Sequence, residues 1–446
     1  MKNGAFRRVV RYLRNSIAHP YPIAGTTAQQ REGIKFLWWD LLFANISVAF
    51  YAEFVTLFIL ELGGTSGMIG TMSSFNSAMT LLGPLIGAML VARSGKRKVW
   101  VVLGSGGLGR LTLLLSAVVP LLFDGLTAVI VVIVLMCIRS LAGSISGPPA
   151  QSLQGDIFPP GIRSRWNSLA MVTGSVITVG VVPLAGFIIR FISGAAGYQT
   201  TMLLAAVLGF VATWFYSQIP EPESAERQTN PRTKAKGGGW AAFLSDRRFL
   251  LYCGVQFVWQ FGIQISGPFF TVYMREGLGF SVDTIALLAT ATAVVNIFAL
   301  AMAGKLVSDK NYAKMTAIGM LLVPFMPLSW YFAHSAWGVL GAKAYGVIAW
   351  ACVHVAGLPL ILSITPREHR AQFIALANAV SAIAAIIVPI PAGWIYAAYG
   401  FRVNLLLSAA GRGVAALMFL AMYLRGAFSW SYDDRREAEL TRQQHV

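Results

Sequence analysis

Residues 126–148 read LTAVIVVIVLMCIRSLAGSISGP, twenty-three residues carrying a single charge, Arg139. An α-helix rises about 1.5 Å per residue, so a run of this length crosses the roughly 30 Å hydrocarbon core of a bilayer. Eleven further runs of similar character follow the same logic: 36–60, 68–92, 98–122, 166–190, 199–219, 249–273, 283–303, 313–333, 337–361, 371–397 and 402–424. The joins between them are turn-like, as in Gly63-Gly64-Thr65-Ser66, Phe123-Asp124-Gly125, Gly277-Leu278-Gly279-Phe280 and Tyr399-Gly400-Phe401. The expectation is an all-α integral membrane protein of twelve transmembrane helices.

Composition leads to the same class. Of 446 residues, 56% are apolar and 12% charged, about half the charged share of soluble domains. The mean hydropathy is +0.64. A net charge of +17 raises nucleic acid as a partner, but the basic residues sit in short segments between apolar runs, the pattern of the positive-inside rule. Only Arg190, Arg275 and Arg402 fall on the opposite side, while Arg110, Arg139, Lys343 and Arg412 fall within spans. Both termini are therefore expected in the cytoplasm, in a plasma membrane, and nucleic acid is not expected as a partner.

Residues 1–35 hold seven Lys or Arg and no apolar core of a signal peptide. Arg7 to Arg14 reads either as a short basic helix on an anionic leaflet or as a disordered basic tail. Cys137, Cys253 and Cys352 lie in apolar runs without disulfide or zinc spacing. No helix carries His, Asp or Glu at metal-ligand spacing, and no nucleotide-binding loop is present. Neither a metal, a cofactor nor an enzymatic activity is expected.

Residues 220–248 form the one long hydrophilic stretch, rich in Pro, Gly and mixed charge. It divides the chain into a basic segment 1–35, a six-helix bundle 36–219, a cytoplasmic linker 220–248, a second six-helix bundle 249–424 and a tail 425–446. The halves repeat. Phe54, Leu62-Gly63, Leu90-Val91 and Lys98 recur 216 residues later as Phe270, Leu278-Gly279, Leu306-Val307 and Lys314. Pro159, Arg163 and Ala185-Gly186 recur at an offset of 207 as Pro366, Arg370 and Ala392-Gly393. Two parallel six-helix repeats are a transporter plan with the ligand between them near the midplane.

Polar residues inside a membrane are costly and mark function. The acids well inside the spans are Asp40, near the cytoplasmic end of the first helix, and Glu53, deeper. Glu53 is a candidate proton carrier or a structural partner for a buried arginine. Gln256, Gln260 and Gln264 recur every four residues and form one stripe, with Trp259 beside it. The stripe suits a cavity wall or a polar seam between helices, and Asn45 and Asn296 could serve either way. Arg110 and Arg412 are expected to point inward in structural roles. Lys343 could snorkel outward, and His354 reads as a core histidine.

One loop and two helices then carry a family likeness. Ala88-Met89-Leu90-Val91-Ala92-Arg93-Ser94-Gly95-Lys96-Arg97 resembles the signature of the major facilitator superfamily between helices 2 and 3, with Leu90, Arg93, Gly95 and the basic pair retained and Ala92 replacing the acid. Arg139-Ser140-Leu141-Ala142-Gly143 resembles the superfamily's helix-4 motif. Gly174, Gly180 and Val182-Pro183-Leu184-Ala185-Gly186 resemble in part the antiporter motif of helix 5. The likeness to sugar porters rests on the glutamines alone and lacks their other signatures.

The resemblance implies two pseudo-symmetric six-helix bundles and secondary transport of a small-molecule substrate across the lipid bilayer by alternating access. It also implies a cytoplasmic gating loop of Arg93, Gly95, Lys96 and Arg97, and Arg139 in proton coupling with Glu53 and Asp40. Export by antiport and a monomeric carrier are expected. The alternatives are a non-transporting scaffold, sensor or assembly factor, and a flippase for lipids or lipophiles.

Overall fold

The computed structural model describes residues 27–158, 160–221, 246–308, 311–365 and 370–428. The basic stretch Arg7 to Arg14, most of the 220–248 linker and the tail after 428 lie outside the described residues. Among the described residues, twelve helices are long and apolar enough to cross a membrane: α1 (Ala28–Glu61), α2 (Ser66–Ser94), α3 (Arg97–Leu122), α4 (Gly125–Ile157), α5 (Leu169–Ile192), α6 (Gly194–Ser217), α7 (Arg247–Gly277), α8 (Val282–Leu306), α9 (Tyr312–Tyr331), α10 (Ala336–Ser363), α11 (Gln372–Tyr399) and α12 (Phe401–Leu424). They alternate in direction. One end of the molecule, the near face, carries Thr27, the α2–α3 turn and the end of α12. The far face carries the turns at 62–65, 278–281 and 400.

Several helices run past the apolar stretch that defines them. The first begins at Ala28 rather than residue 36, because Thr27 caps it: its hydroxyl accepts from Gln30 N and the Gln30 side chain returns to Thr27 N. The fourth continues to Ile157 through Pro148 and Pro149. Its 33 residues span about 50 Å at 1.5 Å per residue, so its polar end projects from the bilayer.

The repeat is visible in the helix irregularities. Between Tyr51 and Val55, α1 is interrupted by a turn at Ala52-Glu53-Phe54. Its counterpart α7 is interrupted by the 3₁₀ turn Gly267–Phe269, at nearly the same offset of 216. Pro268 lacks an amide hydrogen, which accounts for the second break.

Packing between the halves is one-sided. Toward the near face each half has its own apolar core, around Trp38, Ile157 and Trp166 in the first and around Phe249, Phe373 and Phe419 in the second. Toward the far face a single core runs through both, from Phe58, Ile59 and Tyr198 to Phe269, Val272 and Phe401.

Two repeat-related seams close that end. At one, a Cβ on Gly186 would stand 2.6 Å from Ala286 Cβ of α8; at the other, a Cβ on Gly393 would stand 3.0 Å from Ser66 O and 3.1 Å from Gly67 Cα of α2. Small residues let these backbones touch. The Ala-Gly pairs found by the repeat thus form the closed end. Arg190 and Asp283 add an ion pair at 2.7 Å, and Arg275 and Glu61 another at 3.7 Å. Among the described residues these are the ion pairs that cross between the halves.

Candidate functional site

Between the halves lies a cavity of about 810 Å³, within the range of small-molecule sites. Three helices of the second half line it with the same helical spacing. From α7 come Gln256, Trp259, Gln260 and Ile263; from α8, Ala289, Thr292, Ala293 and Asn296. From α10 come Lys343, Gly346, Val347, Trp350 and His354. In each case positions i, i+3, i+4 and i+7 share one face. The first half contributes Glu53, at the break in α1, and Thr178.

The expected cavity residues Gln256, Gln260, Trp259 and Asn296 therefore meet at one site with Glu53. Gln256 is held by a hydrogen bond that its Nε2 donates to Tyr252 Oη at 3.0 Å. Trp259 packs edge-on to Trp350 at 5.5 Å, and Trp350 stacks on His354 at 5.3 Å.

Two residues of α10 differ from expectation. Lys343 does not snorkel to the surface; it faces the cavity within range of the charge on Glu53. His354 is exposed on the cavity wall rather than in a core. Residues 343, 346, 347, 350 and 354 make a helical stripe that was open to detection in the sequence.

Gln264 sits elsewhere. With Gln260 it lines a second cavity of about 850 Å³ between α2, α7 and α11, whose other walls include Leu81, Pro84 and Leu85. Its walls are mostly apolar, and Leu85 is 62% exposed beside it. Asn45 packs at the α1–α5 seam: its Nδ2 donates to Leu41 O at 2.7 Å, and its Oδ1 would lie 2.9 Å from a Cβ on Gly174.

Within the helices of the first half, Arg110 is buried and Arg139 half-buried. Arg139 sits over the Tyr51 ring, 4.2 Å from its centre, in a cation–π contact. Arg110 of α3 donates to Ser47 Oγ at 3.3 Å and fills the space left by Gly209 of α6. Asp40 is half-buried and lies within range of the Arg110 charge. In the second half Arg412 of α12, 2% exposed, donates to Ser266 Oγ at 3.1 Å and packs against Gly262 of α7. Arg110 and Arg412 thus point inward as expected, each tying an outer helix to a cavity helix.

The sequence profile of the Major Facilitator Superfamily matches residues 41–263 and again 252–444. The chain belongs to the Major Facilitator Superfamily. No curated protein sequence matches it closely enough to name a relative. Among solved structures of this superfamily's architecture, the nucleoside transporter NupG superposes with a TM-score of 0.69 at 14% identity, over 88% of this chain and 99% of its own. A mutant form of NupG gives 0.71 at 13% identity, over 87% and 100%. A D-xylose-proton symporter gives 0.66 at 16%, over 87% and 96%. At such identities the likeness is one of fold.

The α2–α3 loop of this superfamily member is tethered within its own half. Gly95 ends α2 with φ +67°, a conformation open to glycine. Arg93 and Lys96 are exposed. Arg97 is buried, donating to Asp156 Oδ2 of α4 at 2.6 Å and to Ser152 Oγ at 3.1 Å, while its backbone N–H bonds Glu221 Oε1 at 3.0 Å. Neighbouring Lys98 donates to the last carbonyl of α6, Ser217 O, at 3.1 Å and to Ile219 O just beyond it at 3.0 Å. In this conformation, among the described residues, the loop's hydrogen-bond partners lie in the first half and the start of the linker.

Proposed function

We propose that this chain is a secondary transporter that carries a small solute by alternating access. The one-sided closure carries the reading: a cavity with polar walls lies between two repeats that are fused at the far face and separate toward the near face. A scaffold has no need of an open, polar, two-sided cavity. The superfamily's solved relatives, a nucleoside transporter and a D-xylose-proton symporter by name, support the same class.

The distribution of Lys and Arg supports a cytoplasmic near face in the cell membrane, with both termini inside. The described state is then inward-facing. Since one chain encloses the whole cavity, a monomer suffices. The tethered Arg97 and exposed Arg93 and Lys96 leave the loop free of the second half in this state, and they serve as the gate when the near face closes.

Proton coupling is assigned to Glu53, the acid that faces the cavity. The cation within its range is Lys343, so Lys343 takes the role first expected of Arg139. Arg139 and Asp40 then act through the α1 and α4 packing. The partial helix-5 motif supports export by antiport.

The test is reconstitution in liposomes with a panel of nucleosides, pentoses, amino acids and lipophilic cations. Saturable flux of one class is expected; no flux of any class would overturn the reading. Glu53→Gln should lose pH-gradient-driven accumulation far more than downhill exchange at saturating solute. Uphill accumulation equal to wild type would remove the proton from Glu53.

The groove between α2 and α11 favours a second reading, transport of a lipophile that enters from the bilayer. Flux restricted to lipophilic members of the panel, lost on filling the groove with Ala382→Phe, would select it.

A further inference from the structure

We infer that the solute is a zwitterion with a planar apolar body, held between Glu53 of one half and Lys343 of the other. The inference rests on the transporter reading of the same cavity and names its substrate class.

Glu53 sits in the turn that interrupts α1, and Lys343 projects from α10. Each faces the cavity, and neither has an ion-pair or hydrogen-bond partner among the described residues. Each lies within range of the other's charge, yet the two do not meet. Charged groups inside a membrane protein are expensive unless they have work or partners. A lone cation in a cavity wall selects anions, and a lone anion selects cations. One of each, facing across a gap, selects a solute that carries both and penalises a solute that carries one, because the second protein charge is then left unpaired.

The rest of the cavity describes the body of that solute. Lys343 lies on α10 about 16 Å farther along the helix axis toward the closed end than His354, at 1.5 Å per residue. The charged pair therefore marks the closed end and the ring cluster the open one. There Trp350 stands edge-on to Trp259 and stacks on His354. Such a cluster offers flat apolar surface, suited to a ring. The amides of Gln256 and Asn296 can pair with polar substituents on it.

A bound zwitterion would also link the two halves directly, its cationic group on Glu53 and its anionic group on Lys343. A proton and the solute's cationic group would then compete for one carboxylate, which makes the proposed antiport a matter of mutual exclusion at Glu53.

Three indole compounds differ in charge while sharing a ring: L-tryptophan, tryptamine and indole-3-propionate. Calorimetric titration of each into the purified full chain at neutral pH is the test. L-Tryptophan should bind at least about ten-fold more tightly than either singly charged compound. Glu53→Gln should shift the preference to indole-3-propionate, and Lys343→Met to tryptamine. The double exchange Glu53→Lys with Lys343→Glu should restore the preference for L-tryptophan. The melting temperature of each ligand-free variant checks that it is folded; both side chains face the cavity, so it should stay close to wild type.

One order of affinity in wild type and both single variants would overturn the zwitterion site, as would failure of all three probes to bind. If the probes fail while liposomes still show saturable flux of another solute, the transporter reading stands and only this inference falls.

Discussion

The two walls of the central cavity descend from one repeat, yet they use polar residues in opposite ways. The first half engages the cations within its helices in its own packing: Arg139 lies over Tyr51, and Arg110 bonds Ser47 and packs against Gly209. The second half buries Arg412 in the same manner, but it also turns three polar or aromatic faces, from α7, α8 and α10, into the cavity. The repeat preserves backbone features, such as the breaks at Ala52–Phe54 and Gly267–Phe269, and frees the side chains to diverge. Recognition has collected on one wall, while the opposite wall offers Glu53.

The seams at the far face set how this asymmetry is used, and disturbing them gives the largest expected effect. Gly186→Leu would drive a branched side chain into Ala286 of α8. Overpacking of this kind costs about 1–3 kcal/mol, enough to move the balance from far-closed to far-open by roughly five- to 150-fold. Distances between spin labels at Asp124 and Phe332, on opposite halves of the far face, should lengthen. An unchanged distribution would mean that the seam does not control closure.

A smaller effect separates the walls. Removing an amide that pairs with the solute leaves its partner unsatisfied at a cost of about 1–3 kcal/mol, so Gln256→Leu and Asn296→Leu should each weaken binding about ten-fold. Thr178→Val, on the first wall, should stay within about two-fold by the same reasoning. Equal losses on both walls, measured as KM for flux, would erase the division between them.

The smallest effect belongs to the ion pair on the rim. The Arg190 side chain is 69% exposed, so its bond to Asp283 is worth at most about 1 kcal/mol. Arg190→Gln should change transport rate by less than about five-fold, and less still at high salt.

Much of this was legible in the chain. Twelve apolar runs and the repeat offsets sufficed for the architecture; that the repeated Ala-Gly pairs form the closed end is seen only in the structure. Helix starts were less legible, because hydropathy ignores capping; Thr27 and Gln30 form a recognisable capping box well before the apolar run that begins at residue 36. The α10 wall does not emerge when Lys343 and His354 are read one at a time; with Trp350 between them, their spacing of seven and four residues makes a single face. The contact of Arg139 with Tyr51 joins α4 to α1, and the range of Glu53 to Lys343 joins the two halves. Such pairings depend on helix rotation and tilt, which packing sets and a single sequence does not display. Gln264 illustrates the same limit. Its spacing put it on the stripe, but the 40° drift per step carries it from the cavity of Gln256 into the groove beside α11.

The central claim is that the cavity is a site of passage. Counterflow in liposomes tests it most directly: vesicles carrying the full chain are loaded with an unlabelled solute that binds the cavity, and uptake of the labelled form is followed. The account predicts a transient, saturable overshoot of label, lost in Lys343→Met. Tight binding in the cavity with no exchange across the membrane would contradict it and make the chain a receptor rather than a carrier.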